Sequence, residues 1–174
     1  KISIQLLIGL SIVSCSSNQV KTKNFSVEPF SKNDILVFVK KVEYKSADYE
    51  KEKNVLIKSC SKALSSEDYK VFSRVIKEDE AGDFLTKGVI LVRIYDDQRE
   101  TESGEYEKNL YLKFERISSK NRFILPIHGI KATMTDSQPF SFENIDKLCL
   151  KAVKSISFSS EDWKWKTLRN LTSL

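Results

Sequence analysis

Three cysteines, one histidine and a crowd of carboxylates hold most of the reactive side-chain chemistry in this 174-residue chain. Cys15 closes a short apolar run at Ile12-Val13-Ser14-Cys15, so its thiol is a candidate for covalent modification at a membrane. Cys60 and Cys149 fall on the apolar stripes of two expected helices. In an oxidising compartment such a pair forms a disulfide if the Cα atoms come within about 7 Å; otherwise two buried thiols act as small hydrophobes. Both readings stay open from the sequence. His128 stands alone and cannot build a multi-histidine metal site, and a Cys–His pair would need Cys60 or Cys149 beside it. It reads as a structural residue near an edge strand. Asp96, Asp97, Glu100, Glu102, Glu105 and Glu107 crowd one segment, and oxygen ligands of this kind can hold Ca²⁺. Their spacing does not match an EF-hand loop, and Arg99 and Lys108 dilute the charge, so a solvated hairpin tip without metal is expected. No Gly-x-Ser-x-Gly elbow occurs, and five glycines supply no phosphate-cradling loop. The expectation is a protein that is not an enzyme and carries no cofactor.

The segment ahead of Cys15 gives that residue its chemistry. Lys1 is followed by an apolar run to Val13, too short to span a bilayer, then by a small residue before the cysteine. Ile12-Val13-Ser14-Cys15 resembles the lipobox of bacterial lipoproteins. The resemblance implies a signal peptide over 1–14, a diacylglyceryl group on the Cys15 thiol, cleavage before it and acylation of the new N-terminus. Several acyl chains anchor stably where one binds marginally. The sequence does not begin with Met, which implies residues ahead of Lys1. Ser16-Ser17-Asn18 follow, and with no Asp beside Cys15 the outer membrane is favoured over inner-membrane retention. Residues 15–33 read as the lipidated cysteine and a polar, flexible tether, and 34–174 as a single globular domain.

Composition sets outer limits. The chain suits one domain, with a net charge of +5 from interleaved lysines and acids. Basic residues are not gathered as a nucleic-acid footprint would require, so no nucleic acid is expected as a partner. No later stretch reaches the roughly 20 apolar residues of a membrane-spanning helix.

The elements that must position these groups follow from periodicity. Asp34–Tyr44 reads as a first strand buried on both faces, and Asp48–Leu64 as a helix with Leu56, Cys60, Ala63 and Leu64 on one side. Tyr69–Ile76 is read as a strand for its β-branched and aromatic content, and Glu78–Lys87 as a short helical or irregular connection. Gly88–Tyr95, Asn109–Ile117 and Arg122–Ile130 read as strands, with a long acidic loop from Asp96 to Lys108 between the first two. Pro126 implies an edge position or a bulge. Ser141 is an expected N-cap for a last strong helix carrying Ile145, Leu148, Cys149, Ala152, Val153 and Ile156. Ser160-Glu161-Asp162 would cap a short final helix. The fold class expected is α+β: a mixed sheet of about five strands with two main helices largely on one face.

Near the end, Trp163-Lys164-Trp165-Lys166 with Leu168 and Arg169 suits an interface with lipid headgroups or an acidic partner. The plainer alternative packs one tryptophan on the sheet and leaves the lysines in solvent.

The strand Ile35–Val42, the helix Leu56–Leu64, the strand trio Val89–Ile130 and the helix Ile145–Ile156 together resemble the small α/β domain of several envelope lipoproteins. That order is similar to the curli-secretion-channel lipoproteins, the lipoprotein activators of penicillin-binding proteins and the N-terminal domain of TolB. The likeness covers roughly Asp34 to Ser157 and rests on pattern; it implies a protein-binding envelope domain and transfers no site residues. The function expected is therefore a membrane-anchored, non-catalytic envelope lipoprotein that binds another envelope protein or aids an assembly. A surface-exposed adhesin or host-interaction lipoprotein is the first alternative, and a cryptic hydrolase the second.

Overall fold

Ile35-Leu36-Val37-Phe38-Val39 is apolar on both sides of a strand, so it belongs in the interior of a sheet. The computed structural model describes residues 19–40, 47–117, 123–137 and 142–156 and places it there. Ser141, and the signal segment with Cys15, lie outside the described residues, as do Trp163 and Trp165. The strands are β1 (Lys21–Ser26), β2 (Ile35–Lys40), β3 (Lys70–Val71), β4 (Ile76–Lys77), β5 (Ile90–Glu100), β6 (Tyr106–Ile117) and β7 (Ile124–Asp136). The helices are α1 (Ala47–Ser66), α2 (Ala81–Thr86) and α3 (Phe142–Lys154), with a single 3₁₀ turn at Glu78–Glu80 before α2. This is an α+β fold with one mixed sheet of seven strands, two more than the sequence suggested.

The order is β1-β7-β6-β5-β2-β3, with β4 also paired to β2. β2 runs parallel to β3, β4 and β5, while β5, β6, β7 and β1 form an antiparallel series. Tyr69–Ile76, expected as one strand, is two short strands, because only Lys70–Val71 and Ile76–Lys77 lie against β2.

Helix α1 places Leu56, Ile57, Cys60, Ala63 and Leu64 on one stripe, and α3 does the same with Ile145, Leu148, Cys149, Ala152 and Val153. Both stripes pack on one face of the sheet, over Leu36, Phe38, Ile90, Val92, Leu110, Leu112, Phe114, Ile130 and Met134. Among the described residues the opposite face is covered only near β2, where Ala81 and Leu85 of α2 sit over Val37, Val39 and Leu91. Helix α1 ends in a Schellman motif: the Tyr69 N–H donates to Leu64 O and the Asp68 N–H to Ser65 O, both at 3.1 Å. Asp68 takes the left-handed position with φ 66°.

Two expectations are corrected. Residues 21–26 were assigned to a flexible tether, but they pair in register with β7 from Lys21 opposite Thr133 to Ser26 opposite His128. Lys21, Lys23 and Phe25 share one face of this strand and Thr22, Asn24 and Ser26 the other, with exposure falling from Lys21 toward Ser26. The acidic segment Asp96–Lys108 was assigned to a long loop, but β5 and β6 stay paired out to Glu100 and Tyr106. Only residues 101–105 turn, with Gly104 at φ 77° and the Thr101 N–H donating to Glu105 O at 2.7 Å.

β7 lies between β1 and β6, so His128 is not at an edge. Pro126 does mark a bulge: the register shifts where Phe114 opposes His128 and Glu115 opposes Pro126, which leaves Ile127 extra. The Ile127 carbonyl accepts from the N–H groups of Val27 and Glu28 at 2.7 and 3.1 Å.

Cys60 and Cys149 are joined by a disulfide, with Cα atoms 4.9 Å apart and 89 residues between them in sequence. Closing so long a loop in the unfolded chain contributes about 4 kcal/mol by the chain-entropy estimate. Changing both cysteines to alanine should lower stability by roughly 2–5 kcal/mol. Thermal melts with and without reductant check this: reductant should lower the midpoint of the native chain and leave that of the double variant unmoved.

Candidate functional site

The carboxylates of β5 and β6 are neighbours of lysines and arginines brought by other elements. Asp96 on β5 is nearly sealed from solvent, with an ion pair to Lys53 of α1 and another to Lys108 of β6 at 2.9 Å. Lys108 also reaches Glu52 at 2.6 Å. Burial pushes the Asp96 carboxyl up, but the two lysines outweigh it and hold its pKa below the usual carboxylate value. Lys108 is shifted up: burial opposes the charge, and Glu52 and Asp96 outweigh it. The knot balances two lysines against two acids at the lower end of the core. It offers no vacant ligand oxygen directed at a metal.

A second knot lies on the opposite face. The Arg93 guanidinium donates to Glu115 at 2.6 Å and pairs with Glu78 beside α2, while Lys113 holds the other Glu115 oxygen at 2.7 Å. Burial raises the Glu115 carboxyl, and Lys113 and Arg93 together bring it below its ordinary value. Further along the same face runs a polar row. Asn109 donates to Asp97 at 2.7 Å and accepts from the Thr133 hydroxyl at 2.7 Å, and Arg99 pairs with Glu107 at 2.8 Å. Of the acids that suggested a calcium loop, Asp96, Asp97 and Glu100 lie on β5 and Glu107 on β6, while Glu102 and Glu105 sit in the turn between them. Among the described residues no cluster of His, Cys, Asp and Glu is arranged to hold a metal.

His128 is fully buried, with Phe30 and Phe114 each 5.7 Å away edge-on and Phe25 6.5 Å away in a stacked orientation. Burial among these rings lowers its pKa to about 4. Both cysteine sulfurs near the core are committed to the disulfide, so no Cys–His pair forms there. Next to His128 the ring of Phe25 lies across Gly129, where a Cβ would fall 1.8 Å from it. Only glycine accepts that approach. A groove between α1 and α3, lined by Ser59, Lys62, Ala63, Ser66, Asp146 and Leu150, has a volume of about 170 Å³. Small-molecule sites usually offer about 300–1,000 Å³, so this groove is too small for most ligands.

The surfaces are more informative than the interior. At one end of the sheet Phe123, Ile124 and Leu125 are exposed, Phe123 by 68%. Val27, also exposed, is tied to this segment through Ile127. The Arg116–Glu28 ion pair flanks it. At the other end β1 begins, and from there alternate residues of β1, β7, β6 and β5 form a sheet face that neither α1 nor α3 covers. Neither surface was identified from the sequence. The run Phe123-Ile124-Leu125 was visible there, but it read only as part of the strand Arg122–Ile130. Among the described residues no helix is long and apolar enough to cross a membrane.

No protein-family model matches the sequence. No curated protein matches it. Among solved structures, two PelC dodecamers from Paraburkholderia phytofirmans, one a single-residue variant, align with TM-scores of 0.46 and 0.45 at 10% identity. They cover 78% of this chain and 95% and 96% of theirs. A PDZ domain protein from Parabacteroides distasonis aligns with a TM-score of 0.46 at 11% identity, over 78% of this chain and 36% of its own. At these values the likenesses transfer neither site residues nor activity.

The two buried features have measurable consequences. His128 has a folded pKa below its unfolded value near 6.5, so the unfolded chain binds the proton first as pH falls. The stability from keeping it neutral is complete above about pH 6.5 and is lost as pH drops toward about 4, a decline of about 3 kcal/mol. Denaturant titrations from pH 7 to 4 should show it, and His128→Leu should flatten the slope. Asp96→Asn leaves Lys53 and Lys108 facing each other in a buried site and should cost about 3–5 kcal/mol. Asp96→Leu combined with Lys53→Met and Lys108→Met should recover much of that loss in the same measurement.

Proposed function

We propose that this chain is a bacterial envelope lipoprotein, held by a lipid on Cys15, whose folded domain binds another protein and performs no catalysis. Outer-membrane attachment is part of the proposal, on the absence of Asp beside Cys15. The observation that carries it is the exposed apolar strip Phe123-Ile124-Leu125 with Val27. Exposed apolar side chains grouped beside charged ones are characteristic of protein contacts. The strip is also the start of a strand. β1 pairs with β7 only from His128 onward, and Pro126 has no N–H to continue the ladder. Toward its start, β7 therefore offers apolar side chains along an edge that β1 does not cover. The buried charged side chains Lys53, Lys108 and Glu115 are engaged in ion pairs, which is in keeping with a role in binding.

The tether gives the mechanism. Confinement to a membrane raises the local concentration of any partner held there, so a modest contact area suffices. The envelope-lipoprotein resemblance of the element order supports the same reading.

A photo-crosslinking side chain placed at Phe123 or Leu125 in cells should give one discrete protein adduct, and the same group at Lys58 on the helix side none. Adducts at neither strip position would remove the strip as the contact. Mass analysis of the N-terminal peptide should find acyl groups on Cys15, and Cys15→Ala should abolish them.

A further inference from the structure

The sheet face opposite α1 and α3 is read row by row from the strand register. One row runs Lys23, Lys131, Tyr111, Tyr95 across β1, β7, β6 and β5, and the next runs Lys21, Thr133, Asn109, Asp97. Of the acids on this face, Glu107 holds Arg99 and lies within electrostatic reach of Lys131, Asp97 accepts from the neutral Asn109 amide, and Glu115 holds Arg93 and Lys113. Among the described residues Lys21, Lys23 and Lys131 have no salt-bridge partner. Lys131 instead lies over the Tyr111 ring, 5.3 Å from its centre. Lys23 and Lys131 are directly opposite each other, an arrangement that costs stability between like charges in an isolated sheet. An anionic surface against this corner would relieve that repulsion.

The length of chain ahead of β1 indicates which anionic surface. From Cys15 to Lys21 is six residue steps, which extend at most about 20 Å. A lipid on Cys15 therefore keeps the start of β1 within that distance of the headgroups. We propose that the corner formed by Lys21, Lys23 and Lys131, with Tyr111 and Tyr95, rests on anionic lipid headgroups. The inference depends on the lipid-anchor reading of Cys15. Lysines supply attraction to an anionic leaflet, and tyrosines suit the interfacial depth, with Tyr95 40% exposed. The corner lies away from the Phe123–Leu125 strip, so membrane contact leaves the strip accessible.

The test uses the full chain isolated from its membrane and reconstituted in phosphatidylcholine vesicles, with or without phosphatidylglycerol. Amine acetylation is followed residue by residue by mass spectrometry. Labelling of Lys21, Lys23 and Lys131 should slow roughly fivefold on the anionic vesicles, the factor one lysine gains beside such a leaflet. Lys58 and Lys62, exposed on α1, should label equally on both. High salt should remove the difference. In Lys23→Glu with Lys131→Glu, two exposed-face changes, Lys21 should lose its protection. Equal labelling on the two vesicle types overturns the proposal. So does protection that appears without anionic lipid and rises with protein concentration, which would indicate a second copy on this face. The N-terminal peptide mass reports the anchor separately, so a chain with no acyl group on Cys15 fails the anchor reading whatever the labelling shows.

Discussion

Leu36, Phe38, Ile90, Val92, Leu112 and Ile130 all leave water on the same side of the sheet, and two helices must cover them. Burying one such side chain contributes about 1.5–3 kcal/mol, so the layer of α1 and α3 on the sheet supplies most of the stabilisation available to a domain of this size. Every other feature is arranged around that layer. The disulfide joins the two helices across it, the Asp96 knot closes its lower end, and His128 sits among rings at its upper end. Among the described residues the opposite face has only the small cover of α2, and much of the rest of it is charged and polar.

That asymmetry explains where function is sought. The interior contains titratable groups, but each is bound into packing or into an ion pair, and the groove between the helices is small. The outer parts of the sheet differ from each other in character. One end exposes apolar side chains on a strand edge, and the corner where β1 starts exposes lysines beside tyrosines. The domain thus offers two surfaces of unlike chemistry, one apolar and one basic and aromatic.

Much of this architecture was legible from residue spacing. The stripe Leu56, Cys60, Ala63, Leu64 and the stripe from Ile145 to Val153 specify two helices with one apolar side each, and the run Val89–Ile94 specifies a strand. Pro126 signalled the bulge through its missing N–H, though its strand is interior and not at an edge. What spacing could not supply was partners distant in sequence. Lys21-Thr22-Lys23-Asn24 is too polar to read as a strand until β7 lies beside it. Asp96 reads as loop chemistry because Lys53, which makes a strand position tolerable for it, lies on another element. The strip Phe123–Leu125 was read only as part of a strand, because its composition says nothing about whether a neighbour covers it.

The pairing of β1 with β7 also orders events in time. β1 follows directly on the expected signal segment, so it would be among the first parts of the domain to cross a membrane. Its hydrogen-bonding partner lies near the other end of the chain. Contacts so far apart in sequence form slowly, because a long loop must close before any bond is gained. The pairing of β1 is therefore among the last contacts to form. Until β7 is in place, β1 has an unpaired edge, a state in which chaperone binding would matter most.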